Sequence, residues 1–316
     1  MVASHMATAV RPKSLSLRLR PLIAPALFIA PAALALILTM AAPMADAVLL
    51  SLERWDGMTP PTWVGFSNYL NLIHDATFFR ALWHTAYFTV CTVILQTVLP
   101  LLIASLLNSG IRGSTAFRTL YFMPVIISLT ISGLLWAMLF EPNFGAVNSL
   151  LRAIGLGDFA PLWLAGVDTV MPSVIIVSVW QSLGFYLVIF FAALQGVPKE
   201  LYEAAELDGA KAWSRFLHVS VPTIWPMILI VIVLNTINGI KVFDQIWVMT
   251  AGGPDYASAT LGTYLYTIAF GAMGASNSRL GYATAIAIVI LLLSIVVSII
   301  QIRLGRRADL DSQIEM

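Results

Sequence analysis

Residues 203–222, EAAELDGAKAWSRFLHVSVP, are polar and charged, although they lie between two long apolar runs at 170–196 and 222–249. A helix needs about 20 residues to cross the ~30 Å hydrocarbon core of a bilayer, and each flanking run is long enough. A polar segment between two such runs belongs in water. The arrangement therefore predicts a chain that leaves a membrane here, folds a short polar element and re-enters.

The composition of the whole chain also indicates a membrane protein. Of its 316 residues, 59% are hydrophobic and 10% are charged, whereas about a quarter of the residues of soluble domains are charged. Apolar runs lie near 22–50, 80–107, 118–140, 170–196, 222–249 and 280–302. They lack the alternation of barrel strands and are longer than such strands. We therefore predict an all-α integral membrane fold with six transmembrane helices.

The chain divides into three regions on this pattern. MVASHM at the start resembles the remnant of an expression tag. We predict a tag remnant and N-terminal tail at 1–21, a six-helix transmembrane domain at 22–302 and a C-terminal tail at 303–316. Basic residues before the first run, and Ala45-Asp46-Ala47 within it, also fit a cleaved signal peptide. The run is longer than the ~7–15 residues of a signal-peptide core, so we favour an uncleaved helix.

The distribution of Lys and Arg predicts the orientation, because these residues concentrate in cytoplasmic loops. With both termini in the cytoplasm, inner segments carry twelve Lys and Arg residues and outer segments carry four. We therefore expect a multi-pass protein of a prokaryotic inner membrane, with cytoplasmic N- and C-termini. The polar segment at 197–221 then faces the cytoplasm.

The polar segment is predicted to form two short helices around a turn. Pro198 fits the first turn of a helix, where its missing N–H costs nothing, and Asp208-Gly209 supplies a stop. Trp213, Phe216 and Leu217 have the spacing of one helical face, and Pro222 is expected to start the next membrane helix. Physical reasoning alone leaves two interpretations open: a docking element for a partner, or an amphipathic loop on the membrane surface.

A resemblance to a known family favours the first interpretation. Glu203-Ala204-Ala205, three residues, Gly209, nine residues and Val219-Ser220-Val221-Pro222 are similar to the EAA loop of binding-protein-dependent ABC importer permeases, with valine at both aliphatic positions. Further motifs resemble the carbohydrate branch, which includes the maltose and glycerol-3-phosphate importers. They are Gly65-Phe66-Ser67-Asn68-Tyr69, Gly145-Ala146-Val147-Asn148, Phe243-Asp244 and Thr250-Ala251-Gly252-Gly253-Pro254.

The resemblance implies a permease subunit that works with partners. They would be a second homologous permease, two ATPase subunits docked on the EAA loops, an extracytoplasmic substrate-binding protein, membrane lipid and a small hydroxyl-rich solute, with no nucleic acid. The implied ATPase-coupling residues are Glu203, Ala204, Ala205, Asp208, Gly209, Trp213, Phe216 and Pro222. The sequence has no G-x-x-x-x-G-K-[ST] motif. We therefore expect no enzyme activity and no cofactor in this chain, with ATP and Mg²⁺ used by the partner ATPase.

Polar side chains within the apolar runs are candidates for the substrate pathway, since such groups usually face a cavity or another helix. Counted along a straight helix from Pro222, Asn235 and Asn238 lie ~20 Å and ~24 Å into the membrane. Gln181 reaches a similar depth from the outer side. These three amides are our candidates for hydrogen bonds to a solute, and interhelical hydrogen bonding is the alternative.

Lys241 and Asp244 complete the candidate pathway. We expect them to form a structural ion pair near the outer mouth rather than a proton relay, because a straight helix cannot place them on one face with both asparagines. Trp180, Tyr186, Trp247, Tyr264 and Tyr266 fit interface anchoring, with stacking on sugars as the alternative. His74, His84 and His218 lack metal-ligand spacing, so we expect no metal site.

Two other functions stay open from sequence. One is a secondary transporter driven by an ion gradient, which predicts titratable groups near the midplane and broken helices around a site. The other, within the importer interpretation, is a glycerol-3-phosphate permease. An anionic solute would require a basic site, and Lys241 is the cation within the predicted spans.

Overall fold

The computed structural model describes residues 27–110, 113–271 and 278–314, with side chains described to residue 305. The predicted tail at 1–21 lies outside the described residues. Within the described part, four helices are long and apolar enough to cross a membrane unbroken, and two bent helix pairs raise the number of candidate spans to six. The all-α membrane fold is therefore confirmed, with a two-stranded hairpin as its one departure in that part.

The elements follow the chain in this order. The helices are α1 (Leu27–Leu50), α2 (Ser67–Ile73), α3 (Ala76–Asn108), α4 (Ser114–Ile126), α5 (Leu129–Leu139), α6 (Ala146–Ala153), α7 (Val170–Gln195), α8 (Lys199–Leu207), α9 (Ala212–Thr223), α10 (Trp225–Ile240), α11 (Asp244–Thr250), α12 (Leu261–Phe270) and α13 (Leu280–Ile314). A 3₁₀ turn spans Gly157–Phe159. Strands β1 (Glu53–Arg54) and β2 (Thr62–Trp63) pair antiparallel.

The predicted run at 118–140 is two helices rather than one. The chain bends by 98° between α4 and α5. Ser128 is extended, and its hydroxyl accepts a hydrogen bond from the N–H of Ile131, so it caps α5. A serine in an apolar run can therefore start a new helix as well as sit inside one.

The expectation that Pro222 begins a membrane helix was wrong. Pro222 lies in the last turn of α9, and α10 begins three residues later at Trp225, after a bend of 74°. Pro222 and Pro226 both lack the N–H that a continuous helix would use, which explains why the helix breaks between them.

The core forms where α3, α7 and α10 pack together. Leu187 and Phe190 of α7 and Val231 of α10 are fully buried there. By contrast, α1 contacts α13 through its C-terminal half, and none of its most apolar window is buried within the chain. Ala45-Asp46-Ala47 lies inside α1. Helix α1 thus offers its surface to lipid or to another subunit.

Candidate functional site: a polar cavity and a helical elbow

A cavity of about 360 Å³ lies among α3, α7, α10 and α11, and we call it the pathway cavity. All five candidate pathway residues line it: Gln181, Asn235, Asn238, Lys241 and Asp244. The structure adds two amide side chains that the sequence analysis missed, Gln96 from α3 and Gln245 from α11. Thr92, Ser178 and Ser182 add hydroxyl groups to its polar lining.

Four of the five residues converge because the helical segment that carries them is broken, and Gln181 joins them from α7. Helix α10 ends at Ile240, and the chain restarts as α11 at Asp244. On the straight helix assumed above, Asn235 to Asp244 would spread over half a circle. The break at 241–243 turns the chain around the cavity instead. The depths of Asn235 and Asn238 were counted along one straight helix from Pro222. Helix α10 begins instead at Trp225 after a bend of 74°, so that count does not apply.

The expected ion pair between Lys241 and Asp244 does not form. Within the described residues, the salt bridge found is the one between Arg215 and Glu206. The backbone between Lys241 and Asp244 leaves the helix, so the two residues are no longer neighbours on one helical face. Asp244 instead lies in the first turn of α11, where the helix dipole favours a negative charge.

The amides of the pathway cavity carry unpaired hydrogen-bonding atoms. Asn235 is 1% exposed, and neither its Nδ2 nor its Oδ1 has a partner among the described residues. In the same part of the chain, Oε1 of Gln181 and Nε2 of Gln245 are also buried and unpaired. A buried polar atom without a partner costs about 1–3 kcal/mol. Such atoms around a cavity are arranged to bind something that fills it, such as water or a polar solute.

Some of these amides also support the packing of helices. Nε2 of Gln181 donates 3.0 Å to the carbonyl of Ile127, where α4 ends. Nε2 of Gln96 donates 3.2 Å to the hydroxyl of Ser178 and so joins α3 to α7. Hydrogen bonding between helices, the alternative considered from sequence, therefore accounts for the Nε2 atoms of Gln181 and Gln96.

Some aromatic residues line the pathway cavity, and others pack against neighbouring side chains outside it. Of the five named from sequence, Tyr186 lines the pathway cavity, and Phe88 and Phe243 join it there. Trp247 and Tyr266 pack against each other with ring centroids 4.5 Å apart. Trp180 packs edge-on against Trp136, and the hydroxyl of Tyr264 bonds to Asp75. Stacking on a solute in this cavity is thus open to Tyr186, Phe88 and Phe243.

The polar segment folds into α8 and α9, which meet at Gly209, and we call residues 199–223 the elbow. Gly209 has φ +79°, and a Cβ there would meet no other atom within 4 Å. Its backbone conformation, rather than crowding, therefore requires glycine. The Arg215 guanidinium donates a 2.8 Å hydrogen bond to Glu206, and Tyr202 and Ser220 pair at 2.8 Å, so α8 is fixed against α9.

The predicted apolar face of the elbow forms in part, since the rings of Trp213 and Phe216 pack with their centroids 5.3 Å apart. Phe216 is 9% exposed and belongs to the core between α3 and α7, whereas Trp213 is 62% exposed and Leu217 is exposed too. The chain from Phe216 to Ser220 is a π-helix, which has more residues per turn than the spacing rule assumes. The outward surface carries Trp213 and also Leu207, which is 90% exposed and which sequence analysis did not single out.

The motifs at 65–69 and 145–148 hold their loops together. Nδ2 of Asn68 donates to the carbonyls of Ser51 and Glu53 at 2.8 and 2.9 Å, which fixes α2 to the end of α1. Asn148 accepts a 2.6 Å hydrogen bond from the indole of Trp163 and donates to the carbonyls of Pro142 and Pro161. Both asparagines are buried, so these motif residues organise the loops rather than offer free polar groups.

Comparison with known proteins gives consistent matches. Residues 96–310 match the family model described as binding-protein-dependent transport system inner membrane component. The chain is 37% identical to the probable ABC transporter permease protein YurN of Bacillus subtilis, over 89% of this chain and 95% of that protein. It is 33% identical to the arabinooligosaccharides transport system permease protein AraP of the same organism, over 89% and 88%. Identity to the probable starch degradation products transport system permease protein AmyD of Thermoanaerobacterium thermosulfurigenes is 30%, over 90% and 94%.

Solved structures share the fold. A chain of a bacterial ABC transporter involved in the import of the acidic polysaccharide alginate superimposes with a TM-score of 0.79. The superposition covers 93% of this chain and 98% of the other at 23% identity. At this identity the match concerns the overall fold alone.

Proposed function

The chain belongs to the family of binding-protein-dependent transport system inner membrane components and is an ABC transporter permease, and from this premise we propose that it moves a sugar or sugar-like solute inward. The observation that carries the proposal is the ring of buried, unpaired amide atoms around the pathway cavity. Amide groups can both donate and accept hydrogen bonds, which suits the hydroxyl groups of a sugar. The relatives named for arabinooligosaccharides and starch degradation products support the same solute class.

A glycerol-3-phosphate permease is less well supported. The pathway cavity has one basic lining residue, Lys241, and one acidic lining residue, Asp244, so its charges balance. A phosphorylated solute would need a site with net positive charge, usually with arginine. The proposal therefore favours an uncharged solute.

The elbow is the proposed contact with the ATPase. Glu203, Asp208 and Trp213 are exposed on it, and Leu207 adds an apolar side chain that a partner would cover. Phe216 would act indirectly, because it fixes the elbow to the core between α3 and α7. In this assignment ATP and Mg²⁺ bind the partner ATPase, and closure of two ATPase subunits would move the elbow and the helices packed on it.

The remaining assignments concern the assembly. A second permease would close the pathway, an extracytoplasmic binding protein would deliver the solute, and the elbow would lie on the cytoplasmic side with both chain termini, including the tails at 1–21 and 303–316. Broken helices around a polar cavity are also what a secondary transporter predicts. Helix geometry therefore does not distinguish a secondary transporter from an ABC importer. Membership of the binding-protein-dependent family favours the ABC importer.

The test is ATP hydrolysis by the reconstituted assembly. The complex, purified through this subunit with its binding protein, is offered disaccharides, amino sugars and glycerol 3-phosphate. Stimulation by one of the sugars supports the proposal and identifies the solute. Stimulation by glycerol 3-phosphate alone would replace the sugar assignment, and an assembly without any ATPase subunit would overturn the coupling assignment.

A further inference from the structure

A second cavity, of about 590 Å³, lies between the elbow and the cytoplasmic ends of α3 and α7. We call it the elbow cavity. It shares no lining residue with the pathway cavity. The helix ends contribute Ser105, Asn108 and Gln195, and the elbow contributes Lys199 and Arg215. Its walls thus come from two parts of the molecule, the helix ends and the elbow, which the buried Phe216 packs together.

The charges that line the elbow cavity have one sign. Lys199 and Arg215 line it, and none of its lining residues is acidic. Glu206, outside the lining, pairs with Arg215 at 2.8 Å and offsets one of the two positive charges, so the net charge stays positive. Helices α8 and α9 also begin at its wall, with Lys199 and Ala212 as their first residues. Helix N-termini carry a partial positive charge that adds to the two side chains. The cavity is therefore suited to an anion.

The basic groups keep hydrogen-bonding capacity for a ligand. Arg215 uses Nη1 for its 2.8 Å bond to Glu206, and its remaining N–H groups have no partner among the described residues. Lys199 has no carboxylate within 4.0 Å in the same part of the chain. The side-chain amides of Asn108 and Gln195 likewise make no hydrogen bond to any described residue. A planar guanidinium and an ammonium together match the oxygens of a phosphate group.

We propose that the elbow cavity binds a phosphate-bearing ligand, with the phosphate held by Lys199 and Arg215 and a polar body held by Ser105, Asn108 and Gln195. The volume falls in the range of organic ligand sites, about 300–1,000 Å³, and exceeds what a free phosphate ion fills. The phosphate is carried either by a small cytoplasmic metabolite or by a lipid headgroup, since the cavity lies at the end of two membrane helices.

The ligand would affect coupling. Because it contacts both the helix ends and the elbow, it stabilises the arrangement of the two that it binds and shifts the population toward that arrangement. The rate of the ATP hydrolysis that is coupled to the elbow would therefore change on binding. This consequence rests on the proposed function of the elbow, whereas the binding itself does not.

The experiment measures binding without ATP, as protection of residues 199–220 from hydrogen exchange in the assembled transporter. In phosphatidylcholine nanodiscs the probes are inorganic phosphate and glucose 6-phosphate, and a second set of nanodiscs contains phosphatidylglycerol. Saturable protection by glucose 6-phosphate, with weaker protection by phosphate, identifies a metabolite site. Protection confined to phosphatidylglycerol discs identifies a lipid site.

Two matched variants decide whether the binding is at this cavity. Lys199→Gln is expected to weaken the protecting interaction about tenfold or more, because it removes one charged hydrogen bond. Lys211→Gln removes an exposed elbow charge outside the cavity lining and should leave it unchanged. Absence of protection by all three probes, or equal protection in Lys199→Gln, overturns the proposal. If Gly209→Val left solute-stimulated ATP hydrolysis unchanged, the coupling assignment would be overturned, but the result of the binding experiment would still hold.

Discussion

The Tyr264 hydroxyl on α12 donates a 2.5 Å hydrogen bond to the carboxylate of Asp75, which caps the first turn of α3. The same carboxylate accepts a 2.6 Å bond from Tyr282 of α13 and bonds from the N–H groups of Thr77 and Phe78. One side chain therefore joins three helices at one end of the bundle. Tyr264, considered from sequence as an interface anchor, serves as a link in this network.

Replacing this carboxylate should destabilise that end of the fold. Asp75→Asn keeps the shape but weakens charged hydrogen bonds that contribute about 1.5–3 kcal/mol each, so we expect a loss of roughly 2 kcal/mol and a lower melting temperature. The measurement is thermal unfolding of the purified protein in detergent. Asp158→Asn, at an exposed position whose side chain makes no hydrogen bond to the described residues, is the control. Equal melting temperatures for both variants would contradict the role of Asp75.

The same network predicts a dependence on pH. Burial acts to raise the pKa of Asp75, but the hydrogen bonds from Tyr264, Tyr282, Phe78 and Thr77 outweigh it and lower the pKa below 3.8. A carboxyl group with a lowered folded-state pKa contributes stability that is complete above its unfolded pKa of about 3.9 and is lost as the pH falls through the folded value. The wild type should lose more stability than Asp75→Asn between pH 5 and pH 3, measured as the difference between their melting temperatures.

The amides of the pathway cavity provide the next test. Asn235→Leu combined with Asn238→Leu removes hydrogen-bonding atoms from the cavity, so solute uptake should fall by at least tenfold while insertion in the membrane persists. Burial of Asn235 without partners suggests that leucine will not destabilise this site, since it removes unsatisfied groups. Leu234→Ala, on the exposed side of α10, is the control. Unchanged uptake in the double variant would assign both asparagines to packing.

Hydrophobic runs predicted where the helices lie but not where they break. Ser128, Pro222 and Pro226 interrupt α4–α5 and α9–α10, yet serine and proline also occur within straight membrane helices, so their presence alone does not predict a bend. The break at 241–243 has no marker in composition at all. It is nevertheless what brings Lys241 and Asp244 to the same cavity as Asn235.

The cavity itself was more predictable than the contacts around it. Polar residues inside apolar runs gave all five candidates, and the same signal would have found Gln96 in the second run. The hydrogen bond between Asp75 and Tyr264 joins residues 189 positions apart, and no local sequence pattern predicts it. Trp213 and Phe216 pack against each other, yet one is exposed and the other is buried, and their spacing in the sequence does not predict which of them reaches the core.

The exposed apolar residues of the elbow should contribute to ATPase docking. Buried aromatic and apolar anchors commonly contribute about 2 kcal/mol or more at an interface, so Leu207→Ser with Trp213→Ala should weaken co-purification of the ATPase at least tenfold. The fold should tolerate both changes, because neither side chain is buried in the chain. Leu201→Ser, an exposed leucine on α8, is the comparison. Full retention of the ATPase by the double variant would move the docking surface elsewhere.

Gly209 permits the sharpest test of the elbow. At φ +79° a β-branched residue is strained by roughly 1–2 kcal/mol, although the open space around the glycine leaves room for a side chain. Gly209→Val should therefore alter the angle between α8 and α9 and abolish solute-stimulated ATP hydrolysis, with membrane insertion intact. Asparagine adopts the left-handed conformation more readily, so Gly209→Asn should restore much of the stimulation. If Gly209→Val assembled and responded to solute normally, or if asparagine were as damaging as valine, the turn conformation would not be what couples this permease to its ATPase.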